Sequence, residues 1–416
     1  MEQATTKSFR ISNIILNMHI ILNAFVIFIY IFAQQFRTIV MLLLFVSCIF
    51  MIFRKRNYVF LYNITVLLFF IFAFISFFGS FISQFPEGTI LYIFGLITII
   101  LNYIILISES GWIKLMVKSL IFVSLIFLIG SLIQLISPEL ILNLDQIHLQ
   151  PEHFRSAKSY IAGGVLTGFV YNPGGNGYIL TILLIISFLY EFKIKKLSYK
   201  IINGAFFIFL YYLIFLTNKR GFLLFSLIIL LYLIFRIFKQ KYKIIVPVIF
   251  VIILFYIMLN YTEAGQELLI RTSSQDDITT GRTPAYNAMW QGFTNRPLLG
   301  NGTFSTLSMI DLFHGHNIYL QILNEQGIIG LIIFTLVLLI NFIGTDRLIV
   351  NSNCIDDKML LMFSASVQLL FILWGLTGNP IYDIYPFMVY IIGIAIFWRL
   401  RLKNQSNNID IRIGII

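Results

Sequence analysis

The sequence predicts an all-α protein that crosses a membrane many times, with about twelve transmembrane helices and one large extracytoplasmic loop that carries short amphipathic helices. Of its 416 residues, 59% are hydrophobic and 11% are charged, whereas a water-soluble domain normally carries about a quarter charged residues. Long apolar runs recur from end to end. Helices are the expected spanning element, because a helix satisfies its own backbone hydrogen bonds in lipid. We expect one integral membrane domain over residues 1–416.

The apolar runs set the positions of the predicted helices, since a helix needs roughly 20 residues to cross the hydrocarbon layer. The first run is not followed by a cleavage-site pattern, so we predict that it is retained as a helix and not removed as a signal peptide. In chain order, the predicted helices cover residues 11–33, 38–53, 57–83, 89–107, 115–137, 174–190, 201–217, 222–236, 243–260, 317–343, 359–376 and 385–400.

The distribution of lysine and arginine predicts which loops face the cytoplasm, because positively charged short loops stay on that side. One alternating set of loops, which includes both ends of the chain, holds 21 of the 29 basic residues. We therefore predict cytoplasmic termini, and we place the long loops 138–173 and 261–316 and the turn at 218–221 outside. The net charge of +11 lies in short loops between apolar runs, so it does not indicate nucleic acid as a partner.

The second long loop, residues 261–316, predicts a short surface helix with an arginine at its start. Pro284 suits a first helical position, with Thr283 as the cap. Trp290 and other apolar side chains then fall on one face, which is typical of a helix lying at a membrane surface. Arg282 would lie at the positive end of this helix, where it could bind a phosphate. A salt bridge to a nearby aspartate, or contact with lipid headgroups, is the alternative.

The end of the same loop places two histidines, His314 and His316, before a helix with a polar side. On that helix Asn317, Gln321 and Asn324 are spaced to form one polar stripe. His316 lies at the helix start, where the macrodipole disfavours positive charge and should keep the imidazole neutral at about pH 7, able to accept a proton. Interfacial histidines with satisfied hydrogen bonds are the alternative. A metal pair is weakly indicated, because there is no nearby cysteine.

Two further outward segments carry polar and basic residues. In the first long loop, Arg155 is followed by a glycine-rich stretch that includes Asn172 and enters the sixth predicted helix. A glycine-rich turn with no other role is the alternative there. Between the seventh and eighth helices, a tight turn carries Lys219 and Arg220, whose side chains could also simply reach lipid phosphates.

Taken together, these segments resemble the O-antigen polymerase and ligase superfamily over about residues 155–330. Two positions depart from the usual pattern: Gly174 stands where the family commonly has a second Asn, and Lys219 stands where it commonly has Ser. The residues that carry the resemblance are, in chain order, Arg155, Asn172 to Gly177, Leu180, Thr217 to Gly221, Arg282, Trp290, Pro297, Gly300, Gly302, Phe304, His316, Asn317, Leu320, Gln321, Glu325 and Gly327 to Gly330.

The resemblance implies a glycosyltransferase that moves a glycan from an undecaprenyl-diphosphate carrier to an acceptor hydroxyl at the outer face of the cytoplasmic membrane. It implies that His316 takes the proton from the hydroxyl, and that Arg155, Arg220 and Arg282 stabilise the departing diphosphate, so that neither a metal nor a nucleotide cofactor is expected. The candidates for substrate binding are Arg155, Asn172, Asn317, Gln321, Trp290 and His314. The expected partners are the undecaprenyl-diphosphate-linked glycan, the lipid bilayer, and a flippase and a chain-length regulator of the same pathway.

Three activities remain open on the sequence. We favour a polymerase that joins lipid-linked repeat units into surface polysaccharide, because that role is more widespread in the family and needs no outer-membrane acceptor. A ligase would transfer the glycan to lipid A core or to another acceptor. A polysaccharide transporter or flippase would have a similar number of helices, but such proteins often show two related halves and polar groups near the bilayer midplane. Here the polar residues cluster in the outer loops.

Overall fold

The computed structural model describes residues 2–54, 63–83, 85–238, 282–310 and 315–413, together with isolated positions between 245 and 266. The regular elements in these residues are helices, and ten of them are long and apolar enough to cross a membrane. The predicted all-α, polytopic membrane protein is therefore confirmed. In chain order the helices are α1 (Glu2–Phe32), α2 (Arg37–Arg54), α3 (Ile64–Ser80), α4 (Pro86–Ser108), α5 (Ile113–Ile136), α6 (Pro138–His148), α7 (Pro151–Ala162), α8 (Pro173–Glu191), α9 (Leu197–Leu216), α10 (Arg220–Ile237), α11 (Thr283–Asn295), α12 (Ser305–Met309), α13 (Ile318–Asn351), α14 (Ile355–Gly375) and α15 (Ile384–Ile413).

Eleven of the twelve predicted spans have a counterpart among these helices. The counterpart of the span predicted at residues 57–83 is α3, which is shorter than the ten candidate spans and begins after Asn63, whose side chain accepts hydrogen bonds from the first turn. The span predicted at residues 243–260 lies outside the described residues apart from isolated positions, so it stays a prediction. The short helix predicted in the second long loop is present as α11, and α6 and α7 occupy most of the first long loop.

The chain forms two compact units. The first contains Met1–Tyr30, Phe36–Leu120 and Pro284–Ile416, and the second contains Ile31–Gln35 and Ile121–Thr283. The single membrane domain over the whole chain stays a prediction.

In the first unit, α13 packs against α3, α14 and α15, and α4 packs against α2, α3 and α15. Polar side chains fasten these apolar helices to one another. The Asn341 Oδ1 atom of α13 accepts from Thr65 of α3 at 3.2 Å and from the Trp398 indole of α15 at 2.8 Å. Such hydrogen bonds hold helices together in lipid, where apolar contacts between helices gain little over contacts with lipid tails.

In the second unit, α8 packs against α9 and α10, and α6 packs against α7. The loop before α8 is fixed by the buried Gln134 side chain of α5. Its Oε1 atom accepts from the backbone N–H groups of Thr167 at 2.9 Å and Gly168 at 2.7 Å, and its Nε2 atom donates to the Val165 carbonyl at 2.9 Å. One glutamine thus satisfies three backbone groups of a segment that has no regular structure.

Candidate active site

In the first unit, α13 is interrupted at Gly327, where φ is 66° and ψ is −169°. An interruption leaves backbone groups of a membrane helix without partners in the helix, and they must find others within the protein. The segment after α11 supplies them. The Ile328 N–H donates to the Pro297 carbonyl at 2.9 Å, and the Ile329 N–H donates to the Leu298 carbonyl at 3.4 Å.

The same loop also satisfies carbonyl groups on the other side of the interruption. The N–H groups of Asn301 and Gly302 donate to the carbonyls of Asn324 and Glu325, each at 2.9 Å. Gly300 allows this close approach, because its φ is +71° and a Cβ atom there would lie 2.6 Å from the Glu325 carbonyl oxygen. Glycine is favoured at such a position, since it has no Cβ and adopts positive φ without strain. Residues 297–302 and the first turns of α13 are therefore one interlocked structure.

The short helix α11 is joined to α13 through Asn301. The Nδ2 atom of Asn301 donates to the Gly292 carbonyl of α11 at 2.7 Å and to Asn324 Oδ1 of α13 at 2.9 Å. Met289 of α11 is fully buried, whereas Trp290 is 53% exposed. The helix begins at Thr283, one residue before Pro284.

His316 lies at the entrance to α13 with its side chain exposed. Its φ is 50°, in the left-handed region that a non-glycine residue seldom adopts. The Tyr286 hydroxyl donates to the His316 carbonyl at 3.5 Å. The next residue, Asn317, is the cap of α13, and its side chain accepts from the N–H groups of Tyr319 and Leu320, each at 3.1 Å. The helix therefore begins one residue later than predicted, and the imidazole is presented at its N-terminal end.

Buried polar side chains form a series of hydrogen bonds that reaches the residue before His316. The Gln321 Oε1 atom accepts from the Gly315 N–H at 3.3 Å, and its Nε2 atom donates to Glu325 Oε1 at 2.8 Å. The Tyr382 hydroxyl, from the segment between α14 and α15, donates to Glu325 Oε2 at 2.5 Å. Gln321 and Glu325 are both fully buried. The predicted polar side of α13 thus faces protein, as polar groups on membrane helices usually do.

In the second unit, the turn between α9 and α10 brings a lysine close to a distant arginine. Lys219 directly precedes α10, and its Nζ atom lies 5.6 Å from the centre of the Tyr160 ring of α7. Burial, and then the charge of Arg282, lower the pKa of Lys219 below its ordinary value of 10.5. Both effects disfavour the charged form of a lysine. Lys219 and Arg282 therefore lie close enough to interact, although they are far apart in the sequence.

The other predicted site residues of this unit lie at helix ends or on a helix surface. Arg220 is the first residue of α10, and Arg155 is exposed on α7. Asn172 is the cap of α8, and its side chain accepts from the Gly174 N–H at 2.8 Å. The glycine-rich stretch thus has a structural role at the start of α8, whatever else it does.

The site residues predicted from the sequence divide between the two units. The first unit holds Trp290, His316, Asn317 and Gln321, and the second unit holds Arg155, Asn172, Arg220 and Arg282. His314 lies outside the described residues. Two features of the structure had no assigned role in the sequence prediction: the effect of the Arg282 charge on Lys219, and the hydrogen bonds that Glu325 accepts.

The comparisons with known proteins bear on the segment that holds most of these residues. Residues 205–335 match a family model described as O-Antigen ligase. A search of the curated proteins found no match. The matched segment contains the turn with Lys219 and Arg220, and also Arg282, His316 and Glu325, whereas Arg155 and Asn172 lie before it.

The fold is that of a multi-pass membrane protein, and residues 205–335 within it are similar to the O-antigen ligase family. The match supports the predicted resemblance to the O-antigen polymerase and ligase superfamily over residues 205–335.

Proposed function

We propose that this protein polymerises oligosaccharide repeat units, carried on undecaprenyl diphosphate, into surface polysaccharide at the outer face of the cytoplasmic membrane. The basic residues of the short loops support this orientation, since they concentrate on the side that also holds both termini. The loops 138–173 and 261–316 would then face outward, where the lipid-linked repeat units are joined.

The reaction transfers a sugar from a diphosphate to a hydroxyl. The acceptor oxygen bonds to the anomeric carbon of the donor, the bond from that carbon to the phosphate oxygen breaks, and the electron pair leaves with the diphosphate. Negative charge therefore builds up on the leaving group, and fixed cations stabilise it. Arginine is well suited to this role, because its planar guanidinium donates two hydrogen bonds to one phosphate.

The observation that carries the proposal is that Arg282 lies near enough to Lys219 for its charge to lower the pKa of the lysine. A lysine whose charged form is disfavoured by a neighbouring arginine is stabilised when an anion binds to both side chains. A diphosphate provides two adjacent anionic groups for such a pair. Arg220, next to Lys219, and Arg155 on α7 complete the proposed set of diphosphate-binding side chains. With these cations neutralising the leaving group, the reaction needs no divalent metal.

His316 is the group that we propose to accept the proton of the attacking hydroxyl. Its imidazole is exposed at the N-terminal end of α13, where the helix dipole favours the neutral form of the ring. Its left-handed backbone conformation is of the kind that persists where surrounding structure enforces it, and such strain clusters at active sites. Trp290 and Asn317 are proposed to bind the sugars of the substrate.

A ligase is the second candidate, because the matched family model is described by that activity. The two activities differ in the intermediate that accumulates when the protein is deleted. A missing polymerase leaves single repeat units on the carrier lipid, whereas a missing ligase leaves full-length chains on it. Mass spectrometry of the lipid-linked glycans of a deletion strain therefore separates them, and full-length carrier-bound chains would contradict the polymerase.

The diphosphate-binding role is tested with the purified protein in reconstituted membranes. We expect Arg282→Ala to weaken donor binding and to slow turnover, because the contact forms before the reaction and is kept during it. Arg282→Lys should restore only part of both, since an ammonium cannot form the two parallel hydrogen bonds of a guanidinium. Arg236→Ala, at the opposite end of α10, is the matched control and should bind donor normally. Normal donor binding by Arg282→Ala would contradict the role.

A further inference from the structure

The side chain of Glu325 is a carboxyl group buried inside a membrane protein. Its four hydrogen-bond partners are all neutral. Besides Gln321 and Tyr382, the backbone of Phe304 and the side chain of Thr306 bond to it. Burying a carboxyl group is costly even when it is hydrogen-bonded, and apolar side chains would fill the same space at lower cost. A purely structural role therefore explains Glu325 poorly.

The four partners come from three segments of the first unit. Gln321 lies one turn earlier on α13, Phe304 and Thr306 lie at the start of α12, and Tyr382 lies between α14 and α15. The Tyr382 ring also packs against Phe304, with 5.3 Å between the ring centres. Glu325 thus fixes the position of Gln321 relative to two other segments, and Gln321 in turn contacts the residue before His316.

We infer that Glu325 is a positioning residue, which holds His316 in its working geometry through Gln321 and Gly315. This inference rests on the proposed role of His316 as the base. The Gln321 amide has one donor end and one acceptor end. Because Glu325 accepts from the donor end, the acceptor end faces the Gly315 N–H. That hydrogen bond holds the backbone of Gly315, which directly precedes His316 and its left-handed conformation.

Glu325→Gln tests the inference with almost no change of shape. A carboxylate accepts on both oxygens, whereas an amide accepts on one and donates on the other. The variant therefore cannot accept from Gln321 and from all the other donors at once, and the orientation of Gln321 is no longer enforced. We expect kcat to fall about tenfold to a hundredfold, because a displacement of about 1 Å in a catalytic group has an effect of that order. KM for the lipid-linked donor should change little, since the proposed diphosphate-binding residues are elsewhere.

Gln321→Met is the second variant, which tests the same connection if the Glu325→Gln protein does not accumulate. It leaves Glu325 with its three other partners. It should lower kcat to a similar extent. The double variant should be no worse than either single variant, because both break the same connection. Gln326→Met is the matched control. Gln326 is equally buried on α13, but its Nε2 atom donates to Ser76 Oγ at 2.7 Å and not to Glu325. The kcat of the Gln326→Met variant should therefore stay near that of the wild-type protein.

His316→Ala, measured in the same series, separates the two proposals. A normal kcat for Glu325→Gln and Gln321→Met, beside an inactive His316→Ala, would overturn the positioning role and leave the base in place. A normal kcat for His316→Ala would remove the base itself. Where His316→Ala is impaired, adding Glu325→Gln to it should cause no further loss. A further loss would show that Glu325 acts on another group and would also overturn the inference.

Discussion

The interruption of α13 predicts a large effect for one added methyl group, in the variant Gly327→Ala. At φ 66° and ψ −169° the backbone lies in a region that is essentially restricted to glycine, and forcing another residue there costs about 1–3 kcal/mol. The new Cβ atom would also collide with the backbone carbonyl of Leu298. If the segment moves away, the hydrogen bond from Ile328 to Pro297 is lost, at about 1 kcal/mol. The expected destabilisation is therefore about 2–4 kcal/mol.

The assay is thermal unfolding of the purified protein in one detergent, followed together with turnover after reconstitution. Gly204→Ala is the matched control, because Gly204 lies in α9 and a Cβ atom there would meet nothing within 4 Å. That change should leave the protein as stable as before or slightly more stable, by about 0.5–1 kcal/mol. Equal unfolding temperatures for Gly327→Ala and the wild-type protein would refute the interlocked structure of the loop and α13.

The remaining predictions concern topology, metal and pH. A cysteine introduced at position 275 should react with an impermeant reagent in intact cells, and one at position 195 should not; the reverse pattern would place the proposed site on the wrong side of the membrane. Turnover should survive a chelator, because cationic side chains neutralise the diphosphate, and a loss restored by Mg²⁺ or Mn²⁺ would contradict that mechanism. Donor affinity should be full while Lys219 is charged and should fall as pH rises through its lowered pKa, below 10.5. Arg282→Gln should move this fall to higher pH, because one cause of the lowered pKa is removed, and a fall that persists unchanged in Lys219→Gln would assign it to another group.

The helices could be predicted from the sequence because hydropathy is a local property. An apolar run such as residues 115–137 is long enough to span lipid whatever surrounds it, and α5 follows it within a few residues. The start of α11 could be predicted within a residue, because proline and a capping side chain act on the nearest turn. The ends of α13 and α15 were less predictable, since both helices continue past their apolar runs.

The internal arrangement of the candidate site could not be predicted in the same way. The partners Glu325 and Tyr382 are 57 positions apart, and no local pattern joins a carboxyl group to a distant tyrosine. The proximity of Lys219 to Arg282, which lowers the pKa of the lysine, likewise depends on how separate segments pack. Gly327 falls in an apolar helical run, so its role became visible only with the loop that fills the interruption.

The most direct test of the proposed glycosyl transfer is single-turnover kinetics of His316→Ala in reconstituted membranes, with donor binding measured on the same samples. If His316 accepts the proton of the attacking hydroxyl, transfer should slow by about a hundredfold to ten-thousandfold, while donor binding stays nearly intact. His314→Ala should have a smaller effect, because only His316 directly precedes the cap of α13. Each variant must reach the membrane at the wild-type level. Near-normal transfer by a well-expressed His316→Ala protein would contradict the account.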